Sequence, residues 1–413
     1  VAIIDPSESR PLKGLSGVQL ANWAPHNARY QTHSIPAHLV NDLRERFGEP
    51  TYVEEDVNSD AEGDRRILRG LLEQIERKGE ICRYLVGREP FDLVAVTFFE
   101  THSGGHQLLK HAWLGEECTL ALDTELSGGV KAIYRAVDQE LGRLLEVLSP
   151  EPDVFVISNV GLIEDYPNRV LGEAFCRELG YQVPVEIARR PESRLARARR
   201  WIPPSVRQRI SRHLSRDMRE RLLADHFRTG TDWSRTTAFP VPSLYTGFLR
   251  VNLRGREPEG IVDPGADYRA LLDRLRGDLE QLIDPVSGRP AVRRVDRVTD
   301  LFGETPHPAL PDLFVEWEPT RYLKRRVVHP RAVLVQEDLD YERGSHHSRE
   351  GFVAAAGPGV SRLGDRGEID VLDLAPTFLA LMNEAAPADM TGRVLTDWMA
   401  KPGSGESPPP RLA

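Results

Sequence analysis

The chain has 413 residues, 40% of them hydrophobic and 28% charged, with a formal net charge of −9. That is enough chain to bury a sizeable core, as one large α/β domain or two to three average ones. The acidic balance argues against a nucleic-acid partner, which calls for a basic surface, and no apolar run is long enough to span a bilayer.

In chain order, Val1–Asp5 reads as a buried strand already under way at the first residue, which suggests an upstream segment. Helical spacing of apolar residues follows over Ala37–Phe47 and Asp64–Gly79, then a strand over Phe91–Phe99, a helix over Gly129–Leu148 and a strand over Asp153–Ser158. Residues 186–235 change character: they are arginine-rich, poor in aliphatic residues and broken by Pro203-Pro204. With Trp201 the sole aromatic inside the arginine run, a solvated helical cap or lid is the better reading than a nucleic-acid surface. Strands over Gly247–Asn252, Asp312–Glu316 and Gly351–Ala356 and a helix over Asp267–Leu282 come next. A last helix opens at Asp373 and runs to Met382, with Pro376 in its first turn, where no amide partner is needed. The tail from Lys401 is rich in proline, glycine and serine and reads as disordered.

Strands alternating with amphipathic helices predict an α/β fold, a mostly parallel sheet sandwiched by helices. Residues 1–185 and 236–400 would form its two parts, with the Arg-rich helical cap inserted between them. Cys82, Cys118 and Cys176 lie far apart without a CxxC pair. A disulfide framework or cysteine zinc site is thereby excluded, and a reducing, cytoplasmic setting is expected.

Chemistry in such sheets collects beyond the strand carboxyl ends. The Phe91–Phe99 strand delivers Glu100-Thr101-His102-Ser103-Gly104-Gly105-His106 to that edge. If the segment turns helical, the four-residue spacing puts His102 and His106 on one face, able to share one ion. Gly104 and Gly105 permit close backbone approach, and His111 reads as a supporting or surface group. The polar, glycine-flanked run Glu342–Gly351 reads as a loop presenting His346 and His347, and Ser158-Asn159-Val160-Gly161 is a polar turn after another strand.

These pieces, with Asn252–Gly260 and Asp373-Leu374-Ala375-Pro376-Thr377, resemble the alkaline phosphatase superfamily, in its type I phosphodiesterase and phosphohydrolase-like branch. The resemblance runs from Asp5-Pro6 to Val394-Leu395. It implies a central sheet between helical layers and two divalent metals flanking a phosphate. One metal would be held by a D-x-x-x-H pair and a late histidine. Here His102 stands at the aspartate position, His106 matches the histidine and His347 the late one, giving a three-histidine site suited to zinc, with manganese or iron as alternatives. The second metal's S-D-H-G turn reads Ser158-Asn159-Val160-Gly161, so that half is degraded. The first-strand aspartate and the nucleophile would then lie before Val1, and Asp5 is not that ligand.

The resemblance therefore implies a metal-dependent hydrolase or transferase acting on a phosphate or sulfate ester or a related anionic small molecule. Glu100 would act as general base or orient a histidine, Asn159 would sit at the catalytic turn, and Arg250, Arg254 and Arg256 would bind the anion, unless they form a surface salt-bridge network. Two alternatives stay open: a single-metal enzyme with non-hydrolytic chemistry in small-molecule biosynthesis, and a non-catalytic binding protein. No membrane partner is expected, and a homo-oligomer is possible.

Overall fold

The computed structural model describes residues 1–25, 30–56, 59–117, 124–148, 152–166, 168, 170–185, 230–243, 246–303, 305–336, 344–362 and 364–400. The chain divides into two units, one made of Val1–Ile163 with His347–Ala413, the other of Glu164–His346. The first begins with β1 (Ala2–Ile4), β2 (Val18–Ala21), β3 (His33–Ile35), α1 (Leu39–Phe47), α2 (Ala61–Val86), β4 (Val94–Val96), α3 (Glu100–Glu117), α4 (Thr124–Ser127), α5 (Gly129–Leu145) and β5 (Val154–Ser158). After β6 (Gly161–Glu164) the chain enters the second unit, with α6 (Leu171–Glu178), β7 (Ala238–Val241), β8 (Gly247–Val251) and α7 (Ala266–Glu280). There follow β9 (Ile283–Asp284), β10 (Arg289–Pro290), β11 (Val292–Arg297), α8 (Val298–Phe302), β12 (Leu313–Trp317), β13 (Arg326–His329) and β14 (Ala332–Val335). β15 (Ser345–Ser348) returns to the first unit, which ends with β16 (Phe352–Ala356) and α9 (Leu374–Leu381).

The α/β class and every strand and helix expected among these residues are present, with boundaries moved by three residues or fewer except in α2, which runs on from the expected Gly79 to Val86. Sheet organisation differs. In place of one mostly parallel sheet, the described residues form small sheets in the orders β3-β2-β1-β4, β16-β5, β15-β6, β11-β12-β8-β7 and β10-β9-β13-β14. Among the pairings given a direction, β1 with β2 and β1 with β4 are parallel, and the rest, including β16 with β5, are antiparallel. The Glu342–Gly351 run is likewise not all loop, because Ser345–Ser348 pairs with β6 as β15. Of the expected cap, residues 186–229 lie outside the described residues, as do the tail from 401 and Cys118. Cys82 and Cys176 are free and buried.

In the first unit, α2 is the spine. Asp60 caps it, accepting the Gly63 N–H at 2.8 Å. Its apolar stripe then divides between two cores. Ile67, Leu68, Leu71 and Ile75 meet Leu108 of α3, Leu126 of α4 and Ile133 of α5. Ile81, Cys82, Leu85 and Val86 meet Ile4 and Leu20 of the sheet and Leu39 and Leu43 of α1. Each such fully buried side chain contributes about 1.5–3 kcal/mol. The glycines of α3 have a packing role. A Cβ on Gly104 would collide with Cδ1 of Ile133, and one on Gly105 with Cδ1 of Leu162. They let α3 lie close against α5 on one side and β6 on another.

In the second unit, α6 and α7 cover the β11-β12-β8-β7 sheet through Leu171, Phe175, Leu271, Leu275, Leu249, Val251, Leu313 and Val315. The buried carboxylate of Asp312 organises its loops. It accepts from the Val251 N–H at 2.6 Å, the Tyr268 hydroxyl at 2.6 Å and both terminal nitrogens of Arg256 at 2.8 and 2.6 Å.

A three-histidine candidate metal centre

α3 forms directly after β4, and its first turn is fixed by the strand-to-helix junction. The Thr97 N–H donates to the Ile4 carbonyl at 3.0 Å, and the His102 N–H donates to the Phe99 carbonyl at 3.0 Å. His102 and His106 then project from one face, their rings edge-to-face with centroids 4.5 Å apart. β15 brings in the third ring, and its pairing with β6 sets the position of His347. Nε2 of His347 lies 2.8 Å from Nε2 of His102 and 3.0 Å from Nε2 of His106. All three residues belong to the first unit, and among the described residues they are the one histidine, cysteine or carboxylate cluster placed to hold a metal ion.

The donor set fits a borderline divalent ion. Tetrahedral zinc with Zn–N bonds of about 2.0–2.1 Å separates its ligand nitrogens by about 3.3–3.4 Å. The two separations to His347, 2.8 and 3.0 Å, are shorter than this by roughly 0.3–0.6 Å, and all three ligand atoms lie within 4.8 Å of one another.

Beneath the helix start lies a charged group that sequence reasoning missed. Lys78 of α2 is 1% exposed, and its ammonium contacts Asp5 Oδ2 at 2.7 Å, Glu100 Oε1 at 2.8 Å and Glu100 Oε2 at 3.0 Å. It also donates to the Thr97 carbonyl at 2.9 Å. Burial alone would push the Lys78 ammonium to lose its proton, but the two carboxylates outweigh it and raise its pKa. Burial raises Glu100, with Lys78 opposing and Asp5 adding to the rise. Asp5, at the end of β1 in the left-handed region (φ 55°), accepts the Trp23 N–H at 2.7 Å and the Ala24 N–H at 3.2 Å. The carboxylate of Glu100 is thus engaged by Lys78.

The remaining expected residues distribute as follows. His111 sits apart from the cluster, its Nε2 2.6 Å from Asp64 Oδ2. Burial opposes ionisation of Asp64, yet Ser59, Lys110, His111 and Gln107 outweigh it and hold the carboxyl below its usual range. Asn159 lines an open concavity of ≈ 860 Å³ in the first unit, with Ile157, Ser158, Arg349, Phe352 and Arg366 among the other walls. Arg250, Arg254 and Arg256 belong to the second unit. Arg250 is held by Glu257 at 2.7 Å and by the Leu310 and Pro308 carbonyls, and Arg256 by Glu257 and Asp312. Arg254 is the most open of the three, its side chain 61% exposed beside Asp263. His346 precedes His347 on β15, at the end of the second unit.

Comparison of the chain with protein-family models, with curated proteins and with solved structures finds no match. Among the described residues, no helix is long and apolar enough to cross a membrane.

Proposed function

We propose that this chain is a single-metal enzyme in which His102, His106 and His347 hold one zinc ion, hydrolysing or transferring a phosphate or sulfate ester of a small anionic molecule. The observation that carries the reading is the convergence of three imidazole Nε2 atoms from residues far apart in the chain. An i, i+4 pair alone arises often by chance, but a third ring aimed at the same point from β15 does not follow from helix geometry. The resemblance to the alkaline phosphatase superfamily supplies the reaction class, and β1, β2 and β4 would be the parallel part of that fold's sheet. Bound there, the metal would supply Lewis acidity to an ester oxygen.

The chain's own residues take narrower roles. Glu100, with both oxygens on Lys78, serves as an anchor of α3 rather than as a proton acceptor. Asn159 would offer an amide to a ligand in the concavity that it lines. Arg250, Arg254 and Arg256 each pair with a carboxylate within the second unit, the Arg254–Asp263 pair at 3.1 Å being the most exposed. Non-hydrolytic chemistry at one metal is the second reading. It is favoured by the turn Ser158-Asn159-Val160-Gly161, where Asn159 and Val160 stand in place of the aspartate and histidine of a second metal site.

Metal analysis of the chain purified without chelators, paired with assays on phosphomonoester, phosphodiester and sulfate ester substrates, tests the proposal. One zinc per chain with turnover of any of the three, both lost in His106→Ala, is the expected result. One zinc without turnover moves the assignment to the second reading. No bound metal, with H106A folding as the parent does, refutes the metal centre and leaves a binding protein.

A further inference from the structure

Lys78 sits at a junction rather than in a simple ion pair. Its ammonium reaches three points of the polypeptide: the side chain of Asp5 at the end of β1, the carbonyl of Thr97 just past β4, and both carboxylate oxygens of Glu100, the first residue of α3. Thr97 and Glu100 bracket Phe98 and Phe99. The Phe98 ring centroid lies 5.4 Å from the ammonium. The Phe99 ring lies against the His102 imidazole, with centroids 4.4 Å apart and planes tilted by 48°. The Phe99 carbonyl also accepts the N–H groups of His102 at 3.0 Å and Ser103 at 3.2 Å. A continuous set of contacts therefore runs from the buried ammonium, through the turn 97–100, to the histidine ring that faces His347.

A buried ammonium is an expensive way to close a turn, since a buried ion pair is often no more stabilising than apolar residues of the same size. Its attested use is to specify one arrangement among several. Here the arrangement specified is the start and the rotation of α3, which determine where His102 and His106 point.

We propose that Lys78 is a positioning residue of the histidine centre, its ammonium fixing the 97–100 turn so that Phe99 holds the His102 ring toward His347. The inference rests on the metal reading above and deepens it. Partners that orient metal ligands typically change metal affinity by about 10–100-fold when removed, so the device is testable by binding rather than by turnover.

The experiment measures zinc dissociation constants by chelator competition, and the visible absorption of the cobalt(II)-substituted protein, on the full chain. Wild type is measured first: absence of zinc binding removes the metal reading and this inference with it. Given binding, three variants are compared. Lys78→Met removes the clamp, and Phe99→Leu breaks the contact to His102 while leaving the clamp intact. Combining Lys78→Met with Asp5→Asn and Glu100→Gln removes the clamp without stranding buried carboxylates. The expected result is zinc binding weaker by about 10–100-fold in each, an altered cobalt spectrum, and recovery toward wild type with Lys78→Arg. Unchanged affinity and spectrum in the triple variant and in F99L, with the wild type binding zinc, would overturn the assignment. Should K78M and the triple variant both fail to fold, Glu100→Gln, which weakens the clamp and keeps the ammonium, is read beside F99L, and unchanged affinity and spectrum in both would overturn the assignment.

Discussion

Gly104 and Gly142 are both helical glycines, and the structure gives them opposite fates on conversion to alanine. In a helix interior alanine is favoured over glycine by about 0.8–1.0 kcal/mol. At Gly142 of α5 a new methyl group meets nothing within 4 Å, so G142A should stabilise the first unit by about 0.5–1 kcal/mol, near the end of its helix. At Gly104 the same methyl group runs into Cδ1 of Ile133, a residue 1% exposed, with Leu71 Cδ1 3.5 Å away. Overpacking of this kind costs about 1–3 kcal/mol. G104A should therefore be neutral to about 2 kcal/mol destabilising, and the two variants should differ by about 1–3 kcal/mol. Hydrogen exchange of the α3 and α5 amides against urea reads the difference within the first unit. Because α3 carries the histidines, G104A should also weaken zinc binding while G142A leaves it alone. Equal stabilisation by both substitutions would refute the close α3–α5 packing and the helix placement built on it.

Two further outcomes concern the second unit. Removing the Asp312 carboxylate by D312A strands a guanidinium, a hydroxyl and a backbone N–H, and should cost about 3 kcal/mol or more; a urea midpoint within error of wild type would contradict the network. Asp165 is pushed up to about 6 by burial, against the opposing pull of Lys324 and the N–H groups of Thr320 and Tyr166. Its folded pKa lies above the unfolded one, so its stabilisation is full below about pH 4 and is lost as pH rises through about 6. D165N should flatten that fall, and identical pH profiles of wild type and variant in urea unfolding would contradict it.

The three histidines of the cluster were legible because a strand delivers His102, a helical repeat adds His106, and the family resemblance matches His347. The clamp was legible only as an oddity. Lys78 falls on the apolar stripe Leu71, Ile75, Lys78, Cys82 and Leu85 of α2, and a lysine in a buried stripe signals a buried partner without naming it. Asp5 and Glu100, the partners, lie 73 and 22 residues away, on strand and helix ends that only folding brings together. Sheet order was hidden for a similar reason. β5 and β16 are almost 200 residues apart, and nothing in Val154–Ser158 or Phe352–Ala356 tells a parallel from an antiparallel neighbour. β15 has no alternation to announce it, since Ser345-His346-His347-Ser348 is polar throughout and is ordered by pairing with β6.

The second unit is threaded between the second and third histidines, which are 241 residues apart. At ribosomal speeds of about 5–20 residues per second, His347 emerges on the order of 10–50 s after His106. During that interval the nascent chain exposes a two-histidine helix face whose third ligand has not been made. A metal held by all three rings would therefore be captured late, only after the intervening unit has been synthesised and β15 has paired with β6.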